Sequence, residues 1–160
     1  MSFIPYDRLS AVNYAKKWAY ERNPKFYNFD SLGGDCTNFV SQCIFDGTKV
    51  MNFAPVSGWF YISLNNRAPA WTGVEFLYKF LTTNNGKGPI AKEVNSEQIS
   101  LGDVIELGDI NGRFYHTLIV TKIENGKIFT ASHSVDSLDR ALDSYRFNMI
   151  RFIHILGAKK

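Results

Sequence analysis

The spacing of apolar residues in this chain changes once, near Asn84-Asn85-Gly86, and that change limits the folds open to it. Before it, apolar residues recur at helical spacing. Ala11, Tyr14, Ala15 and Trp18 predict a first amphipathic helix from about residue 6 to 22, ended by Asn23-Pro24. Cys36, Phe39, Val40, Cys43 and Ile44 predict a second, from 36 to 45, with Gly47 as its stop signal. A loop with Pro55, Gly58 and Pro69 follows, carrying Trp59, Phe60, Tyr61 and Trp71. Thr72 and Glu75 then form a capping box that opens a third helix. Beyond Gly86 the period is that of strands, expected at 104–107, 114–123, 127–134 and 147–156. Asp109-Ile110-Asn111-Gly112 and Asn125-Gly126 are hairpin turns. Helices first and antiparallel strands afterwards make an α+β fold, its N-terminal helices packed on a C-terminal antiparallel sheet. At 160 residues, 45% of them hydrophobic, the chain reads as one domain over 1–160 with a core that needs no staples.

Gly33-Gly34-Asp35-Cys36-Thr37-Asn38-Phe39-Val40-Ser41-Gln42 places a cysteine where a glycine-rich loop turns into a helix. Asp35 is the expected N-cap, and Cys36 falls in the first helical turn. Unpaired N–H groups and the positive end of the helix dipole there favour a thiolate and can stabilise an oxyanion on a target carbonyl. Cys36 reads as a nucleophile. Cys43, seven residues on, is separated from it by a rise of about 10.5 Å on an intact helix, too far for a disulfide. Both are expected to be free thiols, with Cys43 packed as a small hydrophobe.

A thiolate nucleophile needs a base and a polar group to orient it. His116 opens the strand His116-Thr117-Leu118-Ile119-Val120 and is the expected base. A two-residue turn at Asn125-Gly126 puts Leu118 opposite His133 and His116 opposite Val135. On that register His116 and His133 share a sheet face, and His133 can fix the tautomer of His116. Asp136 competes for this role if a bulge brings its carboxylate round. His154 reads as a strand histidine without a special duty, and Gly102-Asp103 as a turn. Asp35 can also bind a substrate cation. No Cys-x-x-Cys, His-x-x-x-His or His-Glu-x-x-His spacing occurs, so no metal and no cofactor is expected. A net charge of +3, dispersed, argues against nucleic acid and suits an anionic partner such as cell-wall polymer. No stretch is long and apolar enough for a membrane span, and Met1-Ser2-Phe3-Ile4-Pro5-Tyr6-Asp7 lacks the regions of a signal peptide. The chain is therefore expected to be cytoplasmic, a trimmed mature form, or released by lysis.

A cysteine at a helix start, followed far downstream by a histidine on an antiparallel strand, resembles the papain-like architecture. More closely, the chain resembles the putative amidase domain family of Gram-positive bacteria, related to the NlpC-type and CHAP cell-wall hydrolases. The likeness runs through Tyr6-Asp7-Arg8, Ala11-Val12-Asn13-Tyr14-Ala15, Asn23-Pro24, Phe26-Tyr27-Asn28-Phe29, the Gly34–Gln42 block, Leu101-Gly102-Asp103-Val104-Ile105 and the His116 strand. It implies Cys36 as nucleophile, His116 as base and a third polar residue from the next strand, which matches His133. The family often shows His-Thr followed shortly by Asp at this point; here Ser134 replaces the Thr and Asp136 supplies the acid. In NlpC-type enzymes an acidic residue just before the nucleophile reads a free amine, a place Asp35 holds here. Thr37 stands where those enzymes usually have Ser. Asp35, Thr37 and Asn38 make the expected substrate-binding set, and Asn28, Asn38 and Tyr14 are the choices for a second oxyanion donor. The implied activity is cysteine-dependent hydrolysis of an amide in bacterial cell-wall peptide, at an extracellular or wall-associated location. The alternatives are a catalytically idle binding domain, or a transferase or peptidase acting on proteins.

Overall fold

Asp7 begins the helical part of the chain, just after the short strand β1 (Phe3–Ile4). A computed structural model describes all residues, 1–160. The Asp7 carboxylate accepts the Ser10 N–H at 3.0 Å and caps α1 (Arg8–Trp18). This helix stops short of the expected residue 22: the Trp18 carbonyl accepts the Glu21 N–H in a tighter turn (3.2 Å) and His133 Nε2 (2.7 Å). α2 (Cys36–Thr48) runs through Gly47 and ends on Lys49 in the left-handed region (φ 58°). Gly47 is a close approach, not a stop: a Cβ there would lie 2.4 Å from the Tyr6 ring and 2.8 Å from the Asp7 carbonyl.

A small hairpin, β2 (Tyr61–Ser63) and β3 (Asn66–Arg67), precedes α3 (Pro69–Thr72) and α4 (Val74–Thr83). The expected Thr72–Glu75 capping box does not form. Thr72 accepts from Arg67 Nε, Glu75 pairs with Arg151, and Gly73 separates the two helices without a side-chain cap.

β4 (Gly88–Val94), β5 (Val104–Gly108), β6 (Phe114–Glu124), β7 (Lys127–Ser132), β8 (Ser137–Ala141) and β9 (Met149–Lys159) complete the chain. With β1 they form one sheet in the order β1-β9-β5-β6-β7-β8, and β4 also pairs with β9. Every pairing is antiparallel, so the α+β reading holds. β4 and β8 escape the sequence pattern because Pro89, Lys92 and Glu93, and then Asp139 and Arg140, interrupt the alternation, as edge strands tolerate.

The sheet buries both faces. Val104, Ile119, Ile153 and Ile155 join Phe39, Val40, Ile44, Trp59, Trp71 and Leu77 in the larger core under the helices. Ile105, Leu107, Leu118 and Val120 make a second cluster on the reverse face, together with Ile99 and the partly buried Leu142 and Tyr145. No helix is long and apolar enough to cross a membrane.

Asn125 and Gly126 both take positive φ (51° and 76°), which is the expected tight turn. One irregularity then changes what that turn implies. From Lys127 to Phe129 the pairing follows the turn, but a bulge at Thr121 shifts the register by one, so that Val120 pairs with Thr130 and Ile119 with Ala131. A one-residue slip exchanges the faces, and His133 moves to the side opposite that expected.

Candidate active site

Cys36 is the first residue of α2, where the sequence put it. Asp35 occupies the N-cap position, yet its side chain makes no cap hydrogen bond. The carboxylate turns inward, accepting the Phe29 N–H (2.9 Å), Asn38 Nδ2 (2.9 Å) and His133 Nδ1 (2.6 Å). The first-turn N–H groups of α2 are thereby left for something other than their own cap.

The sulfur sits where the sheet opens. Along β6 each N–H faces alternate neighbours, and Val120 N–H bonds to Asp103 on the β5 side. Three residues earlier, Thr117 N–H faces β7, but β7 leaves the ladder after Ser132. That N–H faces the Cys36 sulfur instead, and the Thr37 hydroxyl lies 3.8 Å from it. Burial pushes the thiol above its ordinary value; Thr117 N–H and the Thr37 hydroxyl and N–H pull it down, and Glu106 raises it. Burial of the resting thiol thus opposes the thiolate expected at the helix start, against the pull of these donors.

Behind the sulfur runs a buried polar chain that sequence reasoning missed. Thr37 Oγ1 lies 2.9 Å from Thr117 Oγ1, which donates to Glu106 Oε2 (3.5 Å). Glu106 Oε1 accepts from Arg151 Nε (2.9 Å) and Nη2 (2.6 Å). Glu106 is fully buried, and burial pushes its carboxyl up against the pull of Arg151. The available signal was a charged residue in each of two apolar strand runs, Val104-Ile105-Glu106-Leu107 and Ile150-Arg151-Phe152.

His116 is adjacent to Thr117 and, by strand alternation, belongs to the reverse face with Leu107, its pairing partner. No hydrogen bond joins it to Cys36, His133 or Asp136. Its ring centroid lies 6.0 Å from that of Tyr145, at a cavity of about 270 Å³ also lined by Ser134, Arg140 and Arg146. Burial, and then the Arg140 charge, lower its imidazole from 6.5 to about 4. A ring whose folded value lies below its unfolded one stabilises the protein above the unfolded value and loses that contribution as pH falls. Stability is therefore expected to drop by about 3 kcal/mol between pH 6.5 and about 4. Urea titrations across that window should show the slope in wild type and its loss in His116→Gln. Equal slopes would mean that His116 is not the group responsible.

The structure brings Asp35 and His133 together, not His116 and His133. The bulge at Thr121 turns His133 to the helix side, where its ring stacks on Phe39 with centroids 3.9 Å apart. Its Nδ1 faces the Asp35 carboxylate and its Nε2 the Trp18 carbonyl, so both ring nitrogens meet acceptors and an imidazolium satisfies both. Despite burial, the hydrogen bonds from His133, Asn38 and Phe29 N–H hold the Asp35 carboxyl below its ordinary value. Arg22 Nε lies 3.5 Å from the same carboxylate, so protein donors occupy it in the resting state. Asp136 is bound by both Arg22 terminal nitrogens (2.9 and 3.0 Å), and Arg22 also bonds Asp30.

The other two residues of the expected substrate-binding set also have protein partners. Asn38 donates to Tyr27 O and Asp35 and accepts from Trp71 Nε1 (2.9 Å), and Thr37 is buried against Thr117. Of the other donor choices, Tyr14 donates to Gln42, and Asn28 Oδ1 accepts the Asp30 N–H in a turn. Asp103 is more than a turn residue: it accepts from Arg8, Ser100 N–H and Ile155 N–H, and His154 Nδ1 lies 2.6 Å from it. Cys43 is fully buried in the helix-side core. No group of three or more His, Cys, Asp or Glu side chains is arranged to hold a metal ion.

A family model described as "Putative amidase domain" matches residues 5–156. Among curated proteins, YhbB of Bacillus subtilis (strain 168) is 34% identical over 126 residues, covering 77% of this chain and 39% of its own length. YjcM of the same organism is 25% identical over 142 residues, covering 84% of this chain and 32% of its own. Both are described as uncharacterized. The chain spans less than half the length of these relatives. No solved structure matches.

Proposed function

The chain belongs to the putative amidase domain family, and from that premise we propose that it hydrolyses a peptide amide through Cys36 on a papain-like frame. The observation that carries the reading is the seat of Cys36: a helix start without a side-chain cap, at the point where β6 and β7 part. His116 makes no hydrogen bond in the resting state, and burial with the Arg140 charge keeps its ring neutral, so its role as base requires bound substrate to change those surroundings. The thiol proton passes to His116 as the sulfur bonds to the amide carbon. The oxyanion is held by the Cys36 N–H. The tetrahedral adduct collapses with cleavage of the C–N bond, and His116 returns the proton to the departing amine. Water, deprotonated by His116, then attacks the thioester, releasing the acid and the thiol. Cys36 and His116 make no hydrogen bond at rest, so the transfer is proposed for the substrate-bound state alone.

The substrate class proposed is a bacterial cell-wall peptide, cut between stem amino acids or at the sugar-peptide amide. His133 and Asp35 serve as the bolt between α1, α2 and the end of β7, and Asp136 with Arg22 braces the same turn. Their duty is to hold the start of α2 against the sheet. Incubation with purified wall and with stem peptides should release free amine, and hydroxylamine should intercept the thioester as a hydroxamate. Folded protein that releases no amine from either substrate would sink the hydrolase reading. The raised thiol and the missing Cys36–His116 bond favour, in that event, an idle binding domain on the same frame.

The resting geometry also sets the thiol's reactivity. Cys36 should alkylate at pH 7 more slowly than a free thiol and accelerate only above its ordinary range, while the more deeply buried Cys43 stays silent. Mass spectrometry of iodoacetamide-treated protein across pH 6–10 reads both sites. Fast labelling of Cys36 well below neutrality would show a resting thiolate, contrary to this geometry.

A further inference from the structure

The cavity that His116 enters is lined on its far side by two cations and by no carboxylate. Its wall consists of Leu107, Tyr115, His116, Ser134, Val135, Arg140, Tyr145 and Arg146. Arg140 is held in place. Its guanidinium lies 3.7 Å from the centroid of the Tyr145 ring, and Nε and Nη2 donate to the Ser144 hydroxyl (2.9 Å) and carbonyl (3.3 Å). Nη1 has no protein partner. Arg146 is exposed, and its backbone carbonyl accepts from the Tyr115 hydroxyl (3.3 Å), which ties the loop to β6. Neither arginine forms an ion pair, although Arg8, Arg22 and Arg151 all do.

Two unneutralised guanidinium groups at one cavity, one of them fixed by stacking, make a positive recess suited to planar, bidentate acceptors. We infer that this cavity is the subsite for a carboxylate of the peptide substrate, an inference that rests on Cys36 and His116 being the hydrolytic pair. Ser134 adds a hydroxyl, and Leu107, Val135 and the Tyr145 ring supply an apolar floor for the methylenes that carry the carboxylate. The carboxylate belongs either to the peptide's C-terminus or to an acidic side chain. In both cases it seats the substrate against the ring that carries the proton.

Three short peptides separate the sources: one with a free C-terminal carboxylate, one amidated with a glutamate side chain, and one amidated with glutamine in its place. Binding is read by NMR titration on Cys36→Ala protein, following the His116 and Tyr145 resonances, and cleavage is read separately on wild type. At least one acidic peptide should bind about tenfold more tightly than the neutral one, and the preference should fall with added salt. Arg140→Gln and Arg146→Gln should each erase that preference, bringing the acidic peptides to the affinity of the neutral one. Arg146 is exposed and its side chain makes no hydrogen bond or ion pair, so its variant stays informative if Arg140→Gln unfolds. Equal binding of all three peptides, or a preference that both variants keep, overturns the subsite even where wild type cleaves. A preference that the variants erase, with no cleavage by wild type, upholds the subsite and overturns the hydrolytic reading.

Discussion

Replacing Cys36 by alanine is expected to abolish amide hydrolysis, a loss of at least about 10³-fold in kcat, with the fold intact. The sulfur is the only atom in the site that can form the covalent intermediate, and its removal leaves a small cavity in a position that burial, not packing volume, defines. Stability should fall by no more than about 1 kcal/mol, because the helix start is bolted by Asp35 and His133 and not by the thiol. Steady-state release of amine, run beside urea denaturation of the same samples, separates the two effects. A variant that retains a tenth of the activity would remove Cys36 from the chemistry.

Arg151→Ala carries the largest expected cost in stability. The guanidinium is clamped between the rings of Tyr78 (3.6 Å) and Phe114 (3.8 Å) and bonds both Glu106 and Glu75. Its removal leaves the buried Glu106 carboxyl and the two rings without their partner, which costs about 3 kcal/mol. For a chain of this size that is roughly 10 °C in Tm. The sign of the pH dependence follows from Glu106. Burial raises its folded value above the unfolded one, and losing Arg151 raises it further. Between those values the folded state holds the proton and the unfolded state does not, so stability falls as pH rises. The Arg151→Ala deficit should therefore be larger at pH 9 than at pH 7, because the wild-type carboxyl ionises beside Arg151 above about 8 while the variant's stays protonated, and adding Glu106→Gln should remove that dependence. A deficit under 1 kcal/mol that stays flat up to pH 9 would show that the pair contributes little.

The same network explains why a family label reaches only part of the way to a mechanism. The Thr117–Glu106–Arg151 chain ends beside the sulfur, so its disruption is expected to misplace Cys36 as well as weaken the fold. Arg151 and Glu106 are distant in sequence and meet only because β5 and β9 pair at those residues. Neither residue touches the place where substrate reacts, and their part is positional.

What the sequence determined by itself was local. The loop-to-helix step at Gly33-Gly34-Asp35-Cys36, the tight turn at Asn125-Gly126, and the change from helical to strand spacing each depend on neighbours within a few residues. All three appear in the structure. What tertiary structure alone decided was which of these local pieces face one another. The bulge at Thr121 has no signal in Lys-Ile-Glu-Asn-Gly-Lys-Ile, yet one residue of slip carries His133 from the side of His116 to that of Phe39. Asp35 stops being a cap because His133 arrives from nearly a hundred residues away to claim its carboxylate. Gly47 stops being a terminator because Tyr6 needs the space that a side chain would fill. Turn and helix-start signals are short-range because they are set by backbone conformation and capping within one or two turns of chain. Register, burial and the pairing of charges are set by distant strands closing on one another, and no local pattern contains that information.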